Sequence, residues 1–190
     1  MRFGASEQWQ VYDEEGRRKY VSDGERSRFL AAAKALEPRL SALCHVLAFT
    51  GCRVSEALAL KRCHLDPERG ALVFRTLKRR RLAFRVVPIP PELAAMVAAL
   101  PMTENERFWS MHRTTAWRAV KEVMDAARIE GPMACPKGLR HGFGIRAAGC
   151  AIPASLIQRW MGHASAATTA IYTDAVGIEE RQIAERMWRR

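Results

Sequence analysis

One segment sets the terms for the rest of the chain. Residues 70–90 read GALVFRTLKRRRLAFRVVPIP, a stretch rich in β-branched and aromatic residues. Two short extended runs, 72–74 and 84–87, flank a very basic turn, which is the pattern of a β-hairpin. Pro88 and Pro90 stop it. Most of the remaining chain carries helical periodicity. The expected fold class is therefore mainly α with a small antiparallel β-sheet.

The helices announce themselves by their ends. Ser22 can cap the amide of Glu25, whose side chain reaches back, and Phe29, Leu30, Ala33 and Leu36 follow at helical spacing until Pro38. A second helix is predicted over 40–49; Thr50-Gly51 interrupts it, and CRVSEALALKRCHL starts a third. Beyond the hairpin, helices are predicted over 93–100, 114–129, 139–148, 153–161 and 164–173, with GPMACPKG as a loop. The tail GIEERQIAERMW places Ile178, Ile183 and Met187 at the spacing of a final amphipathic helix. No repeat or low-complexity linker interrupts the pattern. Residues 1–20 read as a charged lead-in and 21–190 as one domain.

Charge narrows the partner. Lysine and arginine total 31 against 20 acids, a formal net charge of +11. Such an excess calls for nucleic acid or an anionic membrane. No apolar run reaches the roughly 18–20 residues needed to span a bilayer, and the N-terminus lacks a signal-peptide core. Nucleic acid is the better partner, and the cytoplasm the expected compartment, with association to a bacterial nucleoid. The 5 cysteines are odd in number and form no C-x-x-C, so reduced, buried thiols are expected and neither a metal site nor a cofactor.

Four clusters carry chemistry. In TGCRVSEALAL, Arg53 and Glu56 lie three apart, so on a helix they share a face, and the carboxylate can hold the guanidinium for phosphate recognition. In PKGLRHGFG, Lys137, Arg140 and His141 gather at the start of a helix, three potential cations suited to an anion. The hairpin turn holds Lys78, Arg79, Arg80 and Arg81. Finally, WMGHASAATTAIYTDA sets Tyr172 nine residues after His163.

Taken together, T-G-x-R-x-x-E-x-L-x-L, a basic hairpin ending in V-P-I-P, G-L-R-H, and M-G-H-A-S-x-x-x-T-x-x-Y resemble the tyrosine recombinase (phage-integrase-like) family, in its catalytic domain. The resemblance runs from about residue 20 to the C-terminus. It implies the DNA breaking-rejoining catalytic fold and strand exchange on double-stranded DNA, without metal or nucleotide, through a 3′-phosphotyrosine. Tyr172 would be the nucleophile. Arg53 and Arg140 would bind the non-bridging oxygens, and His163 would donate a further hydrogen bond. Lys78 would protonate the leaving 5′-oxygen, with Arg79, Arg80 and Arg81 on the DNA. Glu56 and His141 would support these groups from behind, Glu56 by orienting Arg53. The C-terminal helix would dock on a neighbouring subunit, giving a homo-oligomer, a tetramer, on DNA.

Two departures stand out. The family usually carries histidine where this chain has Lys137. A lysine still donates to phosphate, but it is a poor neutral proton acceptor at pH 7. Only about 20 residues precede the catalytic domain, so the N-terminal clamp domain of many relatives is expected to be absent and the protein compact. A non-cleaving DNA-binding accessory protein on the same fold, and a relaxing topoisomerase of related chemistry, are the competing readings. Trapping of a covalent adduct on nicked DNA separates cutting from mere binding.

Overall fold

In the computed structural model, residues 11–75, 83–173 and 187–188 are described. Eight helices and a three-stranded sheet are found among them: α1 (Asp23–Ala33), α2 (Pro38–Thr50), α3 (Val54–Ala57), β1 (Leu65–Asp66), β2 (Ala71–Arg75), β3 (Phe84–Pro88), α4 (Pro91–Ala98), α5 (Arg113–Ala126), α6 (Pro136–Gly149), α7 (Ala154–Met161) and α8 (Ala167–Thr173). The sheet is antiparallel in the order β1-β2-β3. The mainly helical class with a small antiparallel sheet is thus the observed one, and the hairpin pairs as expected. Strand β1 was not foreseen; it is two residues long and pairs Leu65 with Leu72.

Local chemistry explains most boundaries. Ser22 and Glu25 form the expected capping box, with Ser22 N–H donating to Glu25 Oε2 at 2.8 Å. Pro38 opens α2 rather than only closing α1, because proline at the first helical position gives up no hydrogen bond. Gly51 then ends α2 with φ of 60°. A Cβ there would lie 2.6 Å from the Phe143 ring, so glycine answers both the left-handed turn and the approach of α6.

The third helix is a correction. It is one turn long, not a long helix through His64. The backbone beyond it is committed elsewhere: Phe108 N–H donates to Leu60 O, Arg62 N–H to Glu106 O and Cys63 N–H to Glu104 O. A helix cannot continue where a distant segment takes its hydrogen-bonding groups. The cysteines are also only partly as expected. All five are free; Cys44 and Cys52 are buried, but Cys63 and Cys150 are exposed and Cys135 is intermediate.

The main core joins α1, α2, α4, α5 and the start of α6 to the inner face of the sheet, with Phe29, Leu43, Leu72, Phe74, Phe108 and Trp109 fully enclosed. A smaller cluster of Ala147, Ile157, Met161 and Tyr172 joins α6, α7 and α8. Among the described residues no helix is long and apolar enough to cross a membrane.

Helix α6 is the axis on which both clusters close. Val21 N–H donates to Gly138 O at 3.0 Å, laying the chain that enters α1 along α6. A Cβ at Gly142 would fall 2.3 Å from Val21 O. Gly142→Ala is therefore expected to destabilise the fold by about 2 kcal/mol, the middle of the range for overpacking a close contact. Urea denaturation followed by far-UV circular dichroism measures it; a loss below about 0.5 kcal/mol, the scale of a neutral surface change, would show that the contact opens freely.

Candidate active site

The site begins with a buried carboxylate. Glu56 is 2% exposed and its oxygens accept four N–H donors. Arg53 contributes its backbone N–H at 2.7 Å and Nη1 at 3.2 Å; Arg85 contributes Nη1 at 3.1 Å and Nη2 at 2.8 Å. Burial pushes the Glu56 carboxyl up, but the hydrogen bonds and charges of Arg85 and Arg53 outweigh it, and its pKa is lowered. The carboxylate stays charged. Arg53 sits just before α3, not within it, and about a third of its side chain is exposed. Glu56 does hold Arg53, as expected, but its stronger partner is Arg85.

Arg85 is a residue the sequence reading missed. It points inward from β3, 5% exposed, with Phe74 directly opposite on β2 and its guanidinium 4.9 Å from that ring's centroid. Its Nε–H donates to Trp160 O at 2.8 Å. Gly162 follows at φ of 65°, where a Cβ would meet the Arg85 guanidinium at 3.1 Å. One side chain thus joins the hairpin, the start of α3 and the turn that presents His163.

Arg140 is held by helix ends. Its Nη1 donates to Gly51 O at 2.6 Å, past the end of α2, and its Nη2 donates to Met161 O at 2.7 Å, at the end of α7. Carbonyls at helix C-termini are unsatisfied and partly negative, so they suit a cation. Burial, then the charge of Arg53, lowers its pKa to about 10, and it remains protonated at pH 7. These two bonds use two of the five guanidinium donors.

Tyr172 lies on α8, 1% exposed, between two imidazoles. The His163 ring stacks on it at 5.9 Å and 23°, and the His141 ring is tilted at 6.0 Å and 42°. His141 Nδ1 and Tyr172 Oη are 2.8 Å apart. His163 Nδ1 lies 2.9 Å from Thr169 Oγ1. Burial dominates all three ionisations. It raises the Tyr172 phenol to about 12, although Arg140 and Arg53 pull it down. It lowers His163 to about 4, helped by Arg140 and Arg53, and His141 to about 3, helped by Lys137 and Arg140. The expectation of three cations at the start of α6 is thereby corrected: Arg140 is charged, but His141 is neutral at pH 7.

A cleft of about 400 Å³ connects these groups. Arg53, Lys137, Arg140, His141, His163 and Tyr172 all line it, and so do Arg113 and Trp117 from α5. Lys137 is exposed in the first turn of α6. Lys78, Arg79, Arg80 and Arg81 lie outside the described residues, in the connection between β2 and β3. Most of the tail after Thr173 also lies outside them. Among the described residues no group of three or more His, Cys, Asp or Glu could hold a metal ion. Trp117 carried no sequence signal beyond its place on the helix predicted over 114–129, and Arg113, one residue ahead of that range, carried none.

Comparison with known proteins gives one answer. The model of the phage integrase family matches residues 19–176. Tyrosine recombinase XerD of Neisseria meningitidis serogroup A is 30% identical over 83% of this chain and 59% of its own length, so the chain spans less than two thirds of that relative. The crystal structure of XerA recombinase superposes with a TM-score of 0.75 at 27% identity, covering 90% of this chain and 65% of that one. At 20% identity, XerH site-specific recombinase bound to its difH substrate shares the fold, with a TM-score of 0.72 over 91% of this chain and 59% of that one. With a family model covering most of its length, the chain belongs to the phage integrase family.

Proposed function

We propose that this chain is a site-specific DNA recombinase that cuts and rejoins strands of double-stranded DNA through a 3′-phosphotyrosine. The observation that carries this reading is the meeting of Arg53, Arg140, His163 and Tyr172 on one cleft. Two anchored guanidiniums facing one space suit the two non-bridging oxygens of a phosphodiester. The recombinase–DNA complex that shares the fold supports DNA as the partner.

Tyr172 Oη forms a bond to phosphorus, the bond to the 5′-oxygen breaks, and the covalent link conserves its energy for rejoining. Arg53 and Arg140 stabilise the charge that develops on the non-bridging oxygens. Thr169 lies against His163 Nδ1; a hydroxyl donated there leaves the proton on Nε2, able to reach the phosphate. Lys137 adds a cation at the cleft. Lys78 protonates the leaving oxygen, and Arg79, Arg80 and Arg81 hold the flanking backbone. Copies assemble as a tetramer on DNA through the C-terminal helix, of which Met187 and Trp188 are 75% and 63% exposed.

Tyr172→Phe is expected to abolish covalent attachment to nicked suicide DNA while non-covalent binding persists. A labelled adduct surviving in this variant would remove Tyr172 as nucleophile. No adduct with the unaltered chain would favour the accessory-protein reading.

Arg53→Ala and Arg140→Ala are each expected to slow adduct formation at least about a hundredfold, the scale for losing one preorganised donor. Single-turnover rates within about threefold of the unaltered chain would place these arginines outside the transition state.

Deletion of residues 177–190 is expected to weaken synapsis of two DNA sites more than binding of one. Analytical ultracentrifugation on one-site and two-site DNA reads the difference, and equal losses would assign the tail to the fold of its own subunit.

A further inference from the structure

The proposed reaction leaves a proton without an acceptor. Tyr172 must lose it as the phenol oxygen attacks, and the phenol is enclosed, so bulk solvent has no direct access. Lys137, in the position where the family usually has histidine, is a hydrogen-bond donor with no acceptor site. Resting on that proposed reaction, we propose that His141 is a catalytic residue, whose Nδ1 accepts the Tyr172 proton during cleavage and returns it during rejoining.

Three observations meet on this assignment. The first is contact: His141 Nδ1 lies 2.8 Å from Tyr172 Oη, the reacting atom, within the reach a general base needs. The second is how that contact is built. His141 and Gly144 lie three apart on α6, so they share a face. A Cβ at Gly144 would fall 2.8 Å from three atoms of the Tyr172 ring. Glycine there admits the ring against the helix while the imidazole, one turn back, meets its hydroxyl. From the other side the His163 ring stacks on the phenol. The tyrosine is held with its hydroxyl at the imidazole nitrogen.

The third is the state of the ring. Burial, with Lys137 and Arg140 on α6, His163 beyond α7 and Lys19 ahead of α1, holds His141 neutral. A neutral imidazole with its proton on Nε2 has a lone pair on Nδ1. Burial and the charges of Lys137, Arg140 and Lys19 also make His141 a weak base. A phosphodiester brings negative charge to Arg53 and Arg140, and that charge opposes the cations that depress the imidazole. Base strength then rises when substrate is in place.

The step balances. The Tyr172 O–H bond breaks and its proton moves to Nδ1. The phenol oxygen bonds to phosphorus. The phosphorus–O5′ bond breaks, its electron pair stays on the 5′-oxygen, and that oxygen takes a proton from Lys78. The products are a 3′-phosphotyrosine, a 5′-hydroxyl, an imidazolium and a neutral lysine. Rejoining runs the same transfers backwards, and no further reactant is consumed.

The test replaces the base and then makes the base unnecessary. His141→Asn keeps an amide near the Nδ1 position but cannot take a proton. With nicked suicide DNA, single-turnover adduct formation by the full chain is expected to slow at least about a hundredfold, the lower range for losing general-base assistance. Incorporation of 3,5-difluorotyrosine at position 172 supplies a more acidic phenol, which gives up its proton with less help from a base. It is expected to recover at least about tenfold of the His141→Asn deficit, since the dependence on a base falls with the acidity of its partner. The same replacement is expected to recover none of the deficit of Lys137→Gln. Three results overturn the assignment: His141→Asn within about threefold of the unaltered chain, a deficit that fluorination leaves untouched, or recovery in Lys137→Gln instead. The recombinase reading fails separately, through absence of any adduct with the unaltered chain.

Discussion

A single buried carboxylate holds this site together. Glu56 receives donors from two arginines on different elements, and removing the carboxylate would leave the buried Arg85 guanidinium without its counter-charge in a nearly dry environment. Losing one partner of such a pair costs about 3–5 kcal/mol, far more than an exposed ion pair contributes. The geometry explains why the pair is tolerated. Each guanidinium N–H and each carboxylate oxygen that enters the interior meets a partner, and Arg85 adds a backbone carbonyl and an aromatic face. The hairpin, the start of α3 and the turn after α7 therefore cannot shift independently. Any movement of β3 is felt at Arg53 on one side and at His163 on the other.

The second arginine is anchored by a different device used twice. Helices α2 and α7 both end in a glycine with positive φ, Gly51 and Gly162, and both direct a terminal carbonyl at Arg140. A left-handed cap turns the chain sharply, so the last carbonyls stay unpaired and can be shared with a cation. Arg53 and Arg140 are thus fixed by unlike means, a carboxylate and two helix ends. Neither needs the ligand to become ordered, and preorganisation of this kind is what lets a donor act on a transition state rather than on a ground state.

How much of this was legible from the sequence depended on the range of the forces involved. The capping box at Ser22, the proline and glycine stops and the paired runs of the hairpin are local, and they appear in the structure within a few residues of where they were expected. The boxes around Arg53, Arg140, His163 and Tyr172 were legible through the family resemblance that they carry together; each box alone was a weak signal. Helix α3 was misread because residues 104–108, far along the chain, take the backbone groups that a longer helix would need. Arg85 was invisible for another reason. In FRVVP, apolar residues fall on both phases of the strand, and hydrophobicity alone would turn Phe84 and Val86 inward. They are instead 54% and 41% exposed, while Arg85 is buried. The contact of His141 with Tyr172, 31 positions away, arises only when α6 packs on α8.

Positive charge dominates the walls of the cleft. Arg53, Arg113, Lys137 and Arg140 line it, and the one buried carboxylate among the described residues is Glu56. The cations oppose one another: after burial, Arg53 is the next largest influence lowering the pKa of Arg140, and Arg140 is the next largest lowering that of His163. Both histidines stay neutral, which limits the repulsion without removing it. On the reaction proposed above, a phosphodiester would bring negative charge to the point where the guanidiniums face the cleft, and anything that binds the folded state alone stabilises it. That anion would favour a protonated His141 and disfavour an ionised phenol, so it would oppose loss of the phenol proton to solvent more than its transfer to the neighbouring imidazole. On that proposal, binding energy and proton transfer are coupled through one electrostatic field, set by arginines that Glu56 and two helix ends hold in place.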